Sequence, residues 1–368
     1  MYLRASAVNF LPVPRKILLL ITDLEIGGTP TVVRELATRL NDPAGGVEVE
    51  VACLAKWGPV ADQLRDAGVT VTAFGARGAT EFLGVRKRLI RLCRDGKFDT
   101  VMSFLIHANA IAAAASSALP GARFIQSIQT TQPNPRWHWW LQSLIHGRAE
   151  RVVVPSASAA EVAREWSGVP SEKLRVIPNA VDVAQFGNLD PPLNVTPLAV
   201  GFIGRLDPIK RLPDLIRAVG LLRGRVRLDI FGDGSERPEL ERLIRHLQLT
   251  EIVTLHGVVP RPQDALRQIG LLVLPSKAEG FGLVLIEAMA AGVPVLATNV
   301  PGIRDVVRNG ETGLLVPCNP QALAAALERL VEHPELRARL AAGGREDVRQ
   351  RFTWSAVLPQ YRELLELA

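Results

Sequence analysis

The segment from Leu271 to Glu287 holds the residues whose types and spacing say most about chemistry. It reads LLVLPSKAEGFGLVLIE, which predicts a buried strand, a glycine-containing loop and a helix that begins near Leu283. The first N–H groups of a helix lack partners within the helix, and Gly280 and Gly282 on either side of Phe281 permit a ligand to come close to them. Because such a helix start favours an anion, the loop predicts a site for a phosphate or a diphosphate.

Two carboxylates flank this loop. Glu279 precedes the glycines, and Glu287 falls in the second turn of the predicted helix. An ionised carboxylate accepts two hydrogen bonds, which suits the vicinal hydroxyl groups of a ribose or a hexose. A chain with 37 acidic residues produces this spacing by chance, so it is the strand, loop and helix context that makes these two acids candidates for sugar binding.

A second cluster, GFIGRLDPIK, ends at Lys210 and follows what is predicted to be the first strand of a second α/β unit. Gly204 opens the turn, and Arg205 and Lys210 place two cations at the carboxyl edge of that sheet. A diphosphate leaving group gains negative charge as its bond breaks, and cationic partners stabilise it. We expect Arg205 and Lys210 to supply them; the alternative is that both are surface cations at a solvated helix start.

The first half of the chain offers candidates at the same kind of position. Gly27 and Gly28 lie just beyond the first predicted strand and precede a helix, where they permit a ligand to approach the backbone, although a plain tight turn explains them equally well. His107 follows the strand predicted to end at Leu105 and could hydrogen-bond a sugar hydroxyl or the reacting centre. A lone histidine, however, is more often satisfied within its own fold.

Metal and nicotinamide sites are not indicated. The sequence has no Asp-x-Asp or HExxH motif and no paired Cys or His at ligand spacing, so we expect neither a metal nor another cofactor. The GxxG at Gly201 lacks the GxGxxG spacing of a dinucleotide site, which argues against a dehydrogenase. Three scattered cysteines are too few for a disulfide framework.

These residues need a scaffold, and the hydrophobic pattern predicts two α/β domains. Short apolar runs alternate with helix-patterned stretches, which is typical of βαβ units and a parallel sheet. The interval from Gly187 to Pro197 shows neither period and contains two adjacent prolines, so the linker is placed there. Strands are predicted near residues 17–21, 47–54, 69–74, 99–104, 124–128, 151–154 and 175–177, and then near 198–203, 226–231, 252–255, 271–274, 293–297 and 314–316.

Two open parallel sheets bind ligands beyond the carboxyl ends of their strands, so two such domains facing each other would enclose a central cleft. The predicted boundaries are residues 1–187 for the N-terminal domain and 188–352 for the C-terminal domain. Residues 353–368 are predicted to form a terminal helix that crosses back to the N-terminal domain, with apolar positions that include Val357 and Tyr361.

The composition is that of a folded protein, with 368 residues, 48% hydrophobic and 22% charged. Apolar runs such as Ile17 to Ile21 are far shorter than the roughly 20 residues needed to cross a bilayer. The N-terminal stretch reaches Asp23 too soon after its basic residues for a signal peptide. We therefore expect a cytoplasmic location.

Two predicted surface helices suggest a contact with the anionic inner face of the plasma membrane. Seven basic residues lie between Arg77 and Lys97, around a helix whose apolar positions include Phe82 and Leu89. The stretch from Arg136 to Arg148 holds three of the six tryptophans, a residue type enriched at membrane surfaces. This stretch could contact the membrane surface or form part of a groove for a lipid acceptor; the alternative is an ordinary helix with its tryptophans in the core and a solvated charged face. Nucleic-acid binding is not expected, because the basic stretch lacks interleaved aromatic residues.

Four segments together resemble the nucleotide-sugar domain of the family 4 glycosyltransferases, which are retaining enzymes of the GT-B fold. They are GFIGRLDPIKRLPDLI, DIFGDGSERPELERL, LVLPSKAEGFGLVLIEAMAAGVPVLAT and GIRDVVRNGETGLLV. VIPNAVD and GGTPTVVRELATRL are similar to the end and to the opening helix of the family's first domain. The resemblance implies two Rossmann-like, doubly wound parallel-sheet domains around a central cleft, with the acceptor bound by the N-terminal domain and the donor by the C-terminal one.

The resemblance also implies roles for the candidate residues. Arg205 and Lys210 would hold the donor diphosphate, and Glu287 would bind the ribose. Glu279 and the backbone of Phe281-Gly282 would contact the donor sugar and phosphate. The donor-binding set is completed by Gly27, Gly28, Gly204, Gly280 and Leu283. The expected catalytic residues are His107, Glu279, Arg205 and Lys210.

The sequence departs from the family pattern at two places. Relatives commonly show Gly-Gly-Ile-Pro-Glu where this chain has Pro301-Gly302-Ile303-Arg304-Asp305, and many have a histidine where it has Gln129. The resemblance also implies that His107, which belongs to the acceptor domain, would lie beside the donor sugar.

The leading hypothesis is a metal-independent, retaining transfer of a hexosyl or N-acetylhexosaminyl unit from a nucleotide sugar, expected to be a UDP-sugar, to a saccharide or a lipid-linked glycan. Such a reaction belongs to the synthesis of cell-surface polysaccharides or glycoconjugates. The family's mechanism is described as front-face attack, so no general base is assigned. Two alternatives stay open: a nucleotide-sugar epimerase on the same fold, and a catalytically silent nucleotide-sugar binding protein.

Overall fold

The computed structural model describes residues 15–187 and 189–367. Residues 1–14, which belong to the N-terminal stretch compared above with a signal peptide, residue 188 of the predicted linker and residue 368 of the predicted terminal helix lie outside the described residues.

The first half of the chain forms a seven-stranded parallel sheet with six α-helices. The strands follow the order β3-β2-β1-β4-β5-β6-β7 across the sheet. The elements are β1 (Arg15–Ile21), α1 (Gly28–Leu40), β2 (Val47–Cys53), α2 (Pro59–Asp66), β3 (Thr70–Ala73), α3 (Phe82–Gly96), β4 (Thr100–Phe104), α4 (Ile106–Ser116), β5 (Arg123–Ser127), α5 (Arg136–Ile145), β6 (Arg151–Val154), α6 (Ala157–Ser167) and β7 (Leu174–Val176).

The second half forms a six-stranded parallel sheet in the order β10-β9-β8-β11-β12-β13. Its elements are β8 (Leu198–Ile203), α7 (Leu212–Gly220), β9 (Val226–Phe231), α8 (Arg237–His246), β10 (Val253–Gly257), α9 (Pro262–Leu266), β11 (Leu271–Leu274), α10 (Leu283–Ala291), β12 (Val295–Thr298), α11 (Ile303–Val306), β13 (Leu314–Val316), α12 (Pro320–Glu332), α13 (Pro334–Arg351) and α14 (Trp354–Leu364).

The expected fold class, two Rossmann-like domains with parallel sheets, is confirmed. Both sheets reverse their strand order at one point, between β1 and β4 and between β8 and β11. In open α/β sheets this switch point is where a crevice for ligands forms.

The apolar run in β1 shows why the strands read as continuous hydrophobic segments. Ile17 and Leu19 belong to one core cluster, whereas Leu18 and Leu20 belong to another. Successive side chains of a strand point to opposite faces, and a parallel sheet is covered on both faces by helices. Every position from Ile17 to Ile21 is therefore buried.

The strand predicted near residues 293–297 begins later in the structure. β12 starts at Val295, because Pro294 has no N–H to donate to the ladder; its carbonyl accepts a hydrogen bond from Leu272 N at 3.0 Å. The other predicted strands are present with small shifts at their ends.

Helix α14 packs against the first sheet although it follows the second domain in sequence. Trp354, Val357 and Tyr361 belong to the same buried cluster as Ile17 and Leu19. Where the chain enters α14, Val181 N donates to the carbonyl of Phe352 at 2.8 Å. This contact joins the end of the first domain to the end of α13.

Within the described residues, no helix has both the length and the apolar character required to span a membrane.

Candidate functional site

A cleft of about 1430 Å³ lies between the two domains. Its walls are formed by the loops at the carboxyl ends of both sheets, as the switch points require. All twelve candidate site residues from the sequence lie on these walls: Gly27, Gly28, His107, Gly204, Arg205, Lys210, Glu279, Gly280, Phe281, Gly282, Leu283 and Glu287.

The loop between β11 and α10, here named the donor loop (residues 275–282), presents a helix N-terminus to the cleft. Gly282 is the N-cap of α10 and has φ +83, a left-handed conformation that favours glycine. The next residues, Leu283 and Val284, also line the cleft. Their N–H groups belong to the first turn of α10, which has no partners for them within the helix. The cleft therefore has one end whose groups suit an anion.

The structure brings the two sequence clusters of the second domain together. Lys210 forms an ion pair with Glu279 of the donor loop, and Ser276 Oγ donates to the same carboxylate at 2.7 Å. The side chains of Lys210 and Glu279 are only 16% and 13% exposed. An ammonium has three N–H donors, so Lys210 can contact a phosphate oxygen and keep its bond to Glu279.

Arg205 is placed differently from Lys210. Its guanidinium pairs with Asp207 at 2.9 Å, and its side chain is 69% exposed. Arg205 lines the cleft, and its ion pair within the described residues is with Asp207 and not with Glu279 of the donor loop. In the described part of the chain, no three or more histidine, cysteine or acidic side chains form a group that could hold a metal ion.

Glu287 is buried in the second turn of α10 and lines the cleft. Burial raises the pKa of its carboxyl group to about 7, and the charge of Arg34 on α1 of the other domain opposes this shift. Within residues 15–187 and 189–367 we find no hydrogen bond to the carboxylate. A buried polar group without a partner has a free-energy cost, which a ligand that donates hydrogen bonds would remove.

Gly27 and Gly28 are not required by the fold. Gly27 has an extended backbone with φ 176, which any residue can adopt. A Cβ atom at Gly27 would meet only Pro30 Cδ at 3.7 Å, and one at Gly28 would meet nothing within 4 Å. The glycines thus leave open space on the cleft wall, which favours close approach of a ligand over a tight turn.

His107 is exposed at the start of α4 and belongs to an aromatic cluster that the sequence did not reveal. Its ring lies 5.7 Å from the ring centroids of both Trp137 and His138, in edge-to-face arrangements. Burial, and the proximity of His107, lower the pKa of His138. The sequence left the stretch RWHWW open between a membrane contact, an acceptor groove and an ordinary core helix. In the structure, contact between α4 and α5 places His138 on the cleft wall.

The two departures from the family pattern both lie at the junction of the domains. Gln129 Nε2 donates to Ser127 Oγ at 2.7 Å, and Asn179 Nδ2 donates to Gln129 Oε1 at 3.4 Å. Asp305 Oδ2 accepts a hydrogen bond from Ser158 N at 2.9 Å, at the start of α6 in the other domain. Asn179 and Ser158 are remote in sequence from Gln129 and Asp305, so sequence reasoning missed these two contacts.

Known families match both halves of the chain. Residues 26–185 match "Glycosyltransferase Family 4", and residues 190–347 match "Glycosyl transferases group 1". Two similar proteins are D-inositol 3-phosphate glycosyltransferases. The one from Streptomyces griseus subsp. griseus is 30% identical over 394 residues, covering 90% of this chain and 82% of that protein. The one from Streptomyces scabiei is 31% identical over 384 residues, covering 86% and 81%.

Solved structures share the fold over nearly the whole length. Anabaena Alr3699/HepE in complex with UDP-glucose superposes with a TM-score of 0.86 at 22% identity, covering 95% of this chain and 99% of that one. Sucrose-phosphate synthase from Thermosynechococcus elongatus has a TM-score of 0.80 at 22% identity, covering 96% and 98%. These solved structures therefore have the same two-domain fold as this chain.

Proposed function

The chain belongs to glycosyltransferase family 4 and is a glycosyltransferase of the GT-B fold; from this premise we propose that its donor is a UDP-sugar. The transferred group would be a hexosyl or N-acetylhexosaminyl unit, passed with retention of anomeric configuration to a saccharide or a lipid-linked glycan. The structures of HepE with UDP and with UDP-glucose support this class of donor.

The observation that carries the proposal is the shared position of Lys210, Glu279, Glu287 and the N-terminus of α10 on one cleft wall. A cation and the N–H groups of a helix start suit the diphosphate, and a buried carboxylate suits the two hydroxyls of a ribose. One donor molecule would satisfy all of these groups.

In the proposed reaction, the bond between the anomeric carbon and the diphosphate oxygen breaks, the oxygen of an acceptor hydroxyl bonds to that carbon on the same face of the sugar, and the hydroxyl proton passes to the departing diphosphate. Negative charge that develops on the diphosphate is stabilised by Lys210, by the N–H groups at the start of α10 and by Arg205 at the cleft rim. Glu279 and His107 position the donor sugar. These groups would supply the positive charge without a metal, so EDTA is expected to leave turnover unchanged.

The acceptor would enter between the domains past His107 and His138, and we propose that the first domain contacts an anionic membrane there. Helix α4 lies between α3 and α5. Leu83 on α3 is 68% exposed, and Trp140 and Leu144 on α5 are 63% and 60% exposed. Such apolar side chains beside the exposed cations of α3 suit a lipid headgroup region.

The structure adds two details to the sequence interpretation of this surface. Trp139 is buried and packs against Trp166 at 5.2 Å, so only part of the tryptophan cluster is available to a membrane. Arg86 donates to the carbonyl of Ala114 at 2.7 Å and fastens α3 to α4. The cations that remain exposed in the middle of α3 are Lys87, Arg88 and Arg91.

Flotation with anionic liposomes at low salt tests this contact. The wild-type protein and an Arg339→Ser control, altered at an exposed position of the second domain, should float, and an Arg88→Ser, Arg91→Ser, Trp140→Ser variant should not. Wild-type protein that stays wholly in the soluble fraction would end the membrane proposal and leave the donor proposal intact.

The function itself is tested by thermal shift with UDP, GDP and ADP, followed by transfer assays. A ligand present at about 100 times its Kd stabilises the native state by about 2.7 kcal/mol, so UDP should raise the Tm well above the other two. Labelled UDP-sugar should then label an acceptor, with retention visible by NMR. An isomerised donor without any acceptor would indicate an epimerase, and UDP binding without transfer to any acceptor would indicate a binding protein.

A further inference from the structure

The donor loop is held from the first domain at two consecutive peptide groups. Thr131 Oγ1 donates to the carbonyl of Glu279 at 2.6 Å, and Ser156 Oγ donates to the carbonyl of Gly280 at 3.1 Å. Both hydroxyl-bearing residues are 3% exposed. Neither Thr131 nor Ser156 lines the cleft, so they act on the loop and not on a ligand.

Gly280 and Gly302 permit the backbone of each domain to pack closely against the donor loop. A Cβ atom at Gly280 would lie 2.3 Å from the carbonyl oxygen of Gln129, in the first domain. A Cβ atom at Gly302 would lie 2.1 Å from the carbonyl oxygen of Glu279, from within the second domain. Real Cβ atoms do not approach a carbonyl oxygen so closely, which means that side chains at these positions would push the loop away from its place.

A third interdomain bond lies at the same junction. Ser156 is the N-cap of α6, where its Oγ accepts from Ala159 N at 3.1 Å, and Asp305 Oδ2 accepts from Ser158 N at 2.9 Å. Arg351 donates to the carbonyl of Asp305 at 2.7 Å and supports it from α13. The start of α6 is therefore fixed to the second domain beside the donor loop.

Holding these carbonyls also orients the rest of the loop. The C=O and N–H of one peptide group lie in a plane and point in opposite directions. Fixing the carbonyls of Glu279 and Gly280 therefore fixes the directions of the N–H groups of Gly280 and Phe281. It also limits the backbone rotation that sets where the Glu279 side chain meets Lys210.

We propose that Thr131 is a positioning residue for the donor: through the carbonyl of Glu279 it holds the donor loop in its binding conformation, so the donor site is complete only while the two domains touch at this junction. The inference rests on the proposed function of the cleft. It assigns to the acceptor domain a part in donor affinity without any direct contact to the donor.

The test compares Thr131→Val with Thr131→Ser, using the Kd for UDP and the KM and kcat for donor and acceptor. The valine variant leaves a buried carbonyl without its donor, so the Kd for UDP and the donor KM should rise about 5-fold to 100-fold while the acceptor KM stays the same. The serine variant keeps the hydroxyl and should restore wild-type values. Thr312→Val is the matched control, because Thr312 is a buried threonine of the second domain that does not line the cleft.

A second pair of variants covers the case in which Thr131→Val does not fold. Ser156→Ala should raise the donor KM, whereas Ser167→Ala should not. Ser167 lies at the other end of the same helix, and its buried hydroxyl has no hydrogen-bond partner in the described part of the chain. Variants of Thr131 and Ser156 that bind UDP as well as their controls do would overturn the positioning role alone. A wild-type protein that binds no UDP would overturn the proposed donor, and this inference with it.

Discussion

Lys210 and Glu287 face the same cleft, but their surroundings prepare them for a ligand in different ways. Lys210 is already paired with Glu279, so a diphosphate would share an existing charge network. Glu287 is buried, and burial raises the pKa of its carboxyl group to about 7, so near neutral pH part of the protein carries a proton there. The affinity for a ligand that needs the ionised form therefore depends on pH.

The Glu287→Gln variant tests this dependence. Ribose hydroxyls that donate to the carboxylate require its ionised form, so below about pH 7 binding must expel a proton. The affinity for UDP should rise from about pH 6 to about pH 8 in the wild type, and by less in Glu287→Gln, where only ionisations other than that of Glu287, such as that of the terminal phosphate of UDP, still contribute. For the unliganded protein, the raised pKa means that the free energy of unfolding falls as the pH rises from the ordinary carboxyl value through about 7.

Isothermal titration calorimetry at both pH values measures this effect. Glu50→Gln is the control, because burial also raises the pKa of Glu50, which lies on β2 outside the cleft. A wild-type affinity that falls as the pH rises would contradict the assignment of Glu287 to the ribose.

Among individual residues, the sequence predicted as candidates those that belong to local motifs. It missed those whose partners come from the other domain. Glu279 and Lys210 each stand in a strand, loop and helix pattern that can be recognised in isolation. Arg34 and Thr131 act on the second domain only after the domains meet. Such contacts leave no local spacing for sequence reasoning to detect.

Helix α10 is buried over most of its length, and its first residues line the cleft. Its residues from Leu285 to Ala291 are buried, so the helix is fixed in the core of the second domain. Gly282 ends the donor loop with a left-handed backbone and sets the direction in which the first turn points.

Gly282→Ala should therefore reduce both stability and donor affinity. Its φ of +83 is unfavourable for alanine, and the added Cβ would lie 2.9 Å from Leu285 Cδ1. The expected loss is about 1 kcal/mol or more in the free energy of unfolding, measured in urea, together with a weaker affinity for UDP.

Gly310→Ala separates the two effects. Gly310 has φ +79 in open space and does not line the cleft, so alanine there should cost stability without changing the affinity for UDP. Equal losses of affinity in the two variants would show that α10 has no special role at the site.

Strand positions were predictable because each strand is a short apolar run between turn signals. Which face of a helix is buried was harder to predict. The pattern of α5 left a membrane-contacting helix and a helix with tryptophans in the core both open; in the structure Trp139 is buried, Trp140 is exposed and His138 lies on the cleft wall. A helix between a sheet, a cleft and solvent has three kinds of surroundings, and an apolar period distinguishes only buried from exposed positions.

In the molecule as a whole, the chain returns to its first domain through α14. Tyr361 is fully buried there, its hydroxyl has no hydrogen-bond partner among the described residues, and burial raises its pKa. The ring contributes apolar burial, whereas the unpaired hydroxyl costs free energy.

Tyr361→Phe should therefore be as stable as the wild type or more stable. Tyr361→Ala should lose about 3–5 kcal/mol in the free energy of unfolding, as buried aromatic residues do on truncation. Urea denaturation measures both variants. A Tyr361→Phe variant clearly less stable than the wild type would show that the hydroxyl is hydrogen-bonded after all.

The central claim is that Lys210 and Arg205, together with the start of α10, bind the diphosphate of a sugar nucleotide. The most direct measurement is the Kd for UDP in Lys210→Met, in Arg205→Met and in the double variant. Lys277→Met serves as the control, because Lys277 belongs to the donor loop but does not line the cleft. A lost hydrogen bond to a charged group should weaken binding about 10-fold to 100-fold in Lys210→Met, and further in the double variant. If the double variant binds UDP as tightly as the control, the claim is wrong.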